Sequence, residues 1–287
     1  MDDLYSILSL LIWMHEEAMS TDVQSPLITA LEAAIAIRRK RSVPIVDVLH
    51  ELPSSSPDLF SNDYLSLSSN NNVHTAALTR LLDAKLILGS GGSRALNGNS
   101  VAHIAFEKRM KDFFGAPSAL LSNSGYDANV GFWGAVPQDN DAIVFDELVH
   151  ASTRDGIAIS RARNALYSFL HNSVTSFHEC LVGVLKKHSL IARGKATVFI
   201  AVESLYSMDG DFAPLSDIVR VTDELVPKGC GHLMVDEAHS TGMYGPEGKG
   251  IVAALGLTSR IDTVLHTFGK ARAASGGTLA SLGHFTI

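Results

Sequence analysis

ATVFIAVES, residues 196–204, and HLMVDE, residues 232–237, are short apolar runs that each close on an acidic stretch. AIVFD, residues 142–146, and DTVLHTF, residues 262–268, repeat the pattern. Runs of this length, rich in β-branched residues and followed by polar or glycine-containing turns, read as strands buried on both faces. Between them lie helical patterns. Ala102, Phe106, Met110 and Phe113 recur at spacings of four and three, and the helix they predict stops at Gly115 and Pro117. Alternating strands and helices imply an α/β fold with a mostly parallel sheet covered by helices. Such sheets bind ligands beyond the carboxyl ends of their strands.

Those ends, in order, carry Asp146 and His150, then Glu203 and Ser207, then Asp236 and His239, then Thr267 and Lys270. Taken singly, each has an ordinary structural reading. A strand-end aspartate often caps the next helix, and a lone histidine is often a satisfied structural group. Four consecutive strand ends offering acid, base, hydroxyl and amine to one edge make that edge the candidate site.

The chain has 287 residues, 46% of them hydrophobic and 18% charged, enough for one large domain or two modest ones. Its formal net charge of -7 argues against a nucleic-acid partner, because a phosphate backbone favours clustered cations. The one basic run, RRKR at residues 38–41, reads as a solvated helix end. Only Cys180 and Cys230 are present, so the sequence holds neither a disulfide framework nor a CxxC metal pair, and a reducing, cytoplasmic setting is expected. LYSILSLLIWM, residues 4–14, is shorter than the roughly 20 residues of a membrane helix and follows Met-Asp-Asp, so it is expected to pack and not to span. SSSPDLFSND, from Ser54, reads as a loop ahead of the main body. The expected organisation is an N-terminal helical segment over 1–54 and a ligand-binding domain over 55–287.

Standard nucleotide motifs fail. LILGSGGSRALNG, residues 86–98, has Arg94 where GxGxxG needs its last glycine, and nothing matches GxxxxGK[ST]. His178-Glu179 lacks the second histidine of HExxH, no GxSxG surrounds Ser124, and His150, Asp236 and His239 lack tight metal-ligand spacing, so no metal is expected.

An isolated lysine with an acid on the neighbouring strand end suits pyridoxal phosphate, whose aldehyde forms a Schiff base with an amine and whose ring nitrogen pairs with a carboxylate. A carboxylate about 4 Å from a protonated pyridine gains roughly 4 kcal/mol at an effective dielectric near 20, about three pKa units. Asp236 is the candidate for that pairing. Lys270 must be neutral to attack the aldehyde, and desolvation between Gly269 and Ala271 acts in that direction.

SNDYLSL (61–67), GSGGSRALNGNS (89–100), SNSGYDAN (122–129), HAST (150–153), ESLYSMDGDFAPL (203–215), VDEAHSTGMYGPEGKG (235–250) and TFGK (267–270) occur in this order. Together they resemble the α-oxoamine synthases, pyridoxal-phosphate enzymes with the class II aminotransferase-like fold, over about residues 55 to 280. TFGK followed by the Ser275-Gly276 pair leans toward the 8-amino-7-oxononanoate synthase branch. The resemblance implies the large domain of fold type I, with a seven-stranded sheet, and a chain that ends before the small C-terminal domain.

It also implies roles. Lys270 would hold the cofactor and move the α-proton, Asp236 would pair with the ring nitrogen, His239 would meet the phenolic oxygen, and His150 and Ala238 would sandwich the ring. The backbone at Gly125 and Tyr126, with Thr267, would cradle the phosphate. Ser207 would complete the cofactor contacts, and Asn62 and Glu203 would face the substrate. The implied reaction condenses an amino acid with an acyl-CoA, releasing carbon dioxide and coenzyme A, in a homodimer. The alternatives are a non-catalytic or truncated relative serving at most as a partner subunit, and an aminotransferase of the same fold. Arg272 departs from the family pattern and stands two residues from Lys270.

Overall fold

The computed structural model describes residues 25–41, 57–83 and 89–281. The run at 4–14 lies outside them. The chain divides into two units, residues 1–59 and 60–287. In the first, α1 (Pro26–Lys40) starts at Ser25, whose Oγ accepts from Ile28 N–H, with Pro26 placed where a missing N–H costs nothing. No residue of α1 is buried, and Arg38, Arg39 and Lys40 form its last turn, where cations complement the helix dipole. The basic run is therefore a solvated helix end.

The second unit carries α2 (Asn71–Asp83), α3 (Val101–Phe114), β1 (Ser118–Ser122), α4 (Gly125–Ala135), β2 (Ala142–Asp146), α5 (Ala151–Ile159), β3 (Leu166–Phe169), α6 (Val174–Lys187), α7 (Ser189–Ala192), β4 (Val198–Glu203), α8 (Leu215–Leu225), β5 (Gly231–Asp236), α9 (Ile251–Ala254), β6 (Thr263–Thr267) and β7 (Gly277–Ser281). The seven strands form one sheet in the order β1-β7-β6-β5-β4-β2-β3. Strands β6, β5, β4, β2 and β3 pair parallel, and only β7 runs against its neighbours. The four strand candidates are all present: β2 matches its run, β5 lies one residue earlier than expected, β6 loses one residue at each end, and β4 loses Ala196, Thr197 and Ser204.

Both faces of the sheet are packed, which explains why the runs are continuously apolar. On one face Val144, Ile200, Val202, Leu233 and Val235 meet Phe177, Leu181 and Val184 of α6 and Leu215, Ile218 and Val219 of α8. On the other, Ile143, Phe199, Ala201, Met234 and Leu265 meet Ala128, Phe132 and Trp133 of α4 and Ile157 of α5. The alternation along each strand follows from the two-residue period of the pleat. Helix α3 has the expected period and ends at Gly115, whose φ of 67° is left-handed and suits a residue without Cβ. Its apolar face differs from the expected one in burial: Phe114 is buried, Phe106, Met110 and Phe113 are half-buried, and Ala102 is exposed. Among the described residues no helix is long and apolar enough to cross a membrane.

Candidate active site

Asp236 ends β5 two residues after Met234, so the pleat directs it to the α4 and α5 face. Glu203 ends β4 two residues after Ala201, pairs in register with Asp236 and shares that face. Both carboxyl groups are buried, at 7% and 5% exposure. Their environments differ. Asp236 receives two donors, Asn129 Nδ2 on Oδ2 at 2.8 Å and Ala238 N–H on Oδ1 at 2.9 Å. Burial, then the neighbouring Asp236, pushes Glu203 up to about 8, against one backbone N–H from His150. Glu203 therefore keeps its proton at neutral pH beside an aspartate held by donors.

The sequence grouped Asp146 with these acids, and the structure separates it. Asp146 follows Val144, which faces α6 and α8, and its carboxylate is occupied there by Leu148 N–H, Asn172 N–H and His171 Nδ1. His171 in turn reaches Asp211 through Nε2 at 3.0 Å. Asp146 is a clasp of the fold.

Lys270 lies in the turn after β6, half-buried, with Nζ 2.8 Å from His239 Nε2. Burial pulls its pKa down, partly offset by Asp236 and Glu203. His239 is held down to about 4 by burial, then by Lys270 and His150, so its ring is neutral. Arg272 turns away from Lys270: its guanidinium lies 5.4 Å from the centre of the Phe113 ring, and Nη2 donates to Gly248 C=O at 3.3 Å. The departure from the family pattern thus fixes a neighbouring loop and leaves the lysine alone.

His150 caps α5. Its Nδ1 accepts from Ser152 N–H at 3.2 Å and stands 2.7 Å from Ser152 Oγ. Ser152 Oγ also accepts from Asn129 Nδ2 at 2.9 Å, so one hydrogen-bonded string runs from His150 through Ser152 and Asn129 to Asp236. The Tyr126 ring meets His150 edge-on at 6.2 Å, and its hydroxyl donates to Asp155.

Helix α4 opens at Gly125, capped by Ser124, whose Oγ accepts from Asp127 N–H at 2.9 Å. The N–H groups of a first helical turn point outward unpaired, which suits an anion. A Cβ at Gly125 would sit 3.1 Å from Thr267 Cβ and Oγ1, and one at Gly277 would sit 2.9 Å from Gly125 N. The two glycines let helix end and strand end meet.

Of the residues singled out from sequence, contacts link Asn62, Lys270 and His239 in one group and Asp236, Ala238, Glu203 and His150 in another, with Gly125 against Thr267 beside them. Tyr126 joins through His150. Ser207 stands exposed in the turn after β4, and among the described residues no contact ties it to the rest. Three participants were not singled out: Tyr64, whose hydroxyl is 2.7 Å from His239 Nδ1, Asn129 and Ser152. Asn129 lies four residues after Gly125, on the same helix face, and that spacing was a readable signal.

The fit to pyridoxal phosphate rests on these features: a glycine-lined helix start against a threonine, a buried aspartate held by two donors, and a lysine of lowered pKa beside a neutral histidine. The profile of the family "Aminotransferase class I and II" matches residues 58–282. The 8-amino-7-oxononanoate synthase of Emericella nidulans is 45% identical over 243 residues, 84% of this chain and 59% of that protein. Aminoacyl transferase sphA of Byssochlamys spectabilis is 40% identical over 234 residues, 81% of this chain and 49% of that protein. Among solved structures, the serine palmitoyltransferase of S. paucimobilis with bound PLP-myriocin aldimine superposes with a TM-score of 0.75 at 30% identity, covering 90% of this chain and 64% of that one. The chain thus spans 49% to 59% of the length of these curated relatives. Its motifs, fold and site agree with this similarity, and the chain belongs to the class I and II aminotransferase family, among the α-oxoamine synthases.

Proposed function

We propose that this chain is the large domain of a pyridoxal-phosphate-dependent acyltransferase that condenses an amino acid with an acyl-CoA, with loss of carbon dioxide, to an α-oxoamine. The observation that carries the reading is the pairing of Lys270, half-buried and of lowered pKa, with the donor-held carboxylate of Asp236 on the adjacent strand. The relative at 45% identity supports the 8-amino-7-oxononanoate branch.

When bound, pyridoxal phosphate supplies a cationic ring that withdraws electrons from the α-carbon of the amino acid. Asp236 faces the ring nitrogen in this reading, with Asn129 and Ala238 N–H fixing both carboxylate oxygens. Gly125 and Tyr126 N–H would hold the phosphate with Thr267, and Ser207, exposed in the turn after β4, would add the remaining cofactor contact. His150 would cover one ring face and Ala238 the other, while His239 would meet the phenolic oxygen. Lys270 Nζ would move the α-proton, and burial lowers its pKa in the direction that favours the neutral amine. Asn62 and Glu203 face the substrate, Glu203 as a donor because it retains its proton. A second copy of the chain is the expected partner. Both cysteines are free, which supports a reducing compartment such as the cytoplasm.

The test is a visible absorbance titration of the chain with pyridoxal phosphate. A band that forms in the wild type and is lost in Lys270→Ala supports the reading, and release of free thiol from acyl-CoA in the presence of an amino acid extends it to catalysis. A chain that forms no Lys270-dependent band refutes it and leaves the non-catalytic relative.

A further inference from the structure

Asn62, Tyr64, His239 and Lys270 form one line of polar contacts, and counting protons along it gives one arrangement that satisfies every contact. Tyr64 Oη lies 3.0 Å from Asn62 Oδ1 and 2.7 Å from His239 Nδ1. A phenol has a single proton and an amide oxygen can only accept, so the contact with Asn62 takes that proton. Tyr64 then meets His239 as an acceptor, which requires the imidazole proton on Nδ1. The ring is neutral, its pKa lying near 4 through burial, Lys270 and His150, so it carries only that proton. Nε2 is left with a lone pair, aimed at Lys270 Nζ 2.8 Å away.

The opposite tautomer is the poorer one on two counts. With Nε2–H, Tyr64 gives its proton to Nδ1, and the exposed Asn62 Oδ1 loses its protein donor and is left to solvent. It also serves Lys270 only when the amine is neutral, whereas a bare Nε2 accepts from Lys270 in either protonation state. The segment that supplies the tyrosine is itself bonded in place, because Asp63 accepts Leu67 N–H at 3.0 Å and Ser68 N–H at 2.9 Å.

We infer that Tyr64, supported by Asn62, is a positioning residue that holds His239 as its Nδ1–H tautomer, so that the Nε2 lone pair grips the amine of Lys270. The inference deepens the proposed function, on which its catalytic meaning rests, by naming what orients the lysine. It also gives Asn62 a place at the outer end of this line, beside its proposed substrate contact. His150, by contrast, accepts Ser152 N–H on Nδ1, so the two histidines that flank the site hold opposite tautomers.

The experiment is ¹⁵N NMR of the imidazole nitrogens in the full-length chain at pH 8 without pyridoxal phosphate, with His239 assigned by the signals lost in His239→Gln. The wild type is expected to show a protonated Nδ1 and a bare Nε2. Tyr64→Phe removes the acceptor and moves the tautomer ratio toward Nε2–H by about threefold to tenfold, the equilibrium effect of one net hydrogen bond. Asn62→Ala bonds to neither His239 nor Lys270, yet it frees the phenol proton to turn to Nδ1 and produces the same shift with Tyr64 present. A loop that merely packs would leave the tautomer unchanged. An Nε2–H ring in the wild type, or an unshifted ratio in either variant, overturns the inference. Because no cofactor is present, the result stands apart from the absorbance test, in which failure of the proposed function shows as a missing Lys270-dependent band.

Discussion

Replacing Glu203 by glutamine isolates the electrostatics of the site from its catalysis. In the folded chain burial and the adjacent Asp236 raise the Glu203 pKa from 4.5 to about 8. A carboxyl whose folded pKa exceeds its unfolded value binds its proton more tightly when folded. Its stabilising effect is present in full below pH 4.5 and is lost as pH rises toward 8. Within that window each pH unit removes about 1.4 kcal/mol of stability. Between pH 5.5 and pH 7.5 the Glu203 contribution to unfolding free energy should therefore fall by about 2.7 kcal/mol. Urea unfolding at the two pH values, in wild type and Glu203→Gln, measures it as the difference of differences. Glutamine keeps the size of the side chain and does not titrate, so other groups cancel. Equal pH dependence in the two proteins would mean that Glu203 is ionised in the fold, and the assignment of a neutral acid next to Asp236 would be wrong.

Asn129→Ala removes a donor from a buried carboxylate, an interaction worth about 1.5–3 kcal/mol. Pyridoxal phosphate affinity, read by absorbance titration, should weaken by roughly tenfold or more, with the Lys270-dependent band retained. Gly250→Ala should lower unfolding free energy by about 3 kcal/mol or more, combining backbone strain with overpacking, because φ is 102° and the new Cβ would lie 1.8 Å from Oε2 of the fully buried Glu237. Thermal unfolding checks it, and a loss under 1 kcal/mol, about the size of an ordinary surface change, would show that this turn yields.

The four central strands were readable because continuous burial leaves continuous apolar runs. The same property hid which acids share a face. A strand packed on one side shows period-two hydrophobicity, but Phe199, Ile200, Ala201 and Val202 are all buried, with alternate residues in different cores. Nothing in the run tells which parity belongs to which layer, so Asp146 could not be separated from Glu203 and Asp236. The strands SALLS, at the sheet edge, and GTLAS, beside it, are short and partly polar, and they resemble turns until the ladder between Ser118–Ser122 and Gly277–Ser281 pairs them. Tyr64 escaped for a third reason. Its contact with His239 spans 175 residues and depends on the chain path between them, which local pattern does not encode.

Two acids at one register, on adjacent strands of one face, cannot both carry full charge in a dry site. The structure decides between them by donors. Asp236 has a side-chain amide and a backbone N–H on its two oxygens, whereas Glu203 is raised by burial and has one backbone N–H. In the proposed function the donor-held acid is the one that would pair with a cationic ring nitrogen, and the raised acid is the one that would face the substrate. Asn129 is the element that sets this choice. It lies one helical turn beyond Gly125, so the turn that would hold a phosphate also positions the group that holds Asp236. The string of hydrogen bonds from Asn129 through Ser152 ends on the histidine placed to cover the ring. In the proposed function helix α4 would thus tie phosphate grip, ring charge and ring stacking to one element, and a shift of its first turn would disturb all three together.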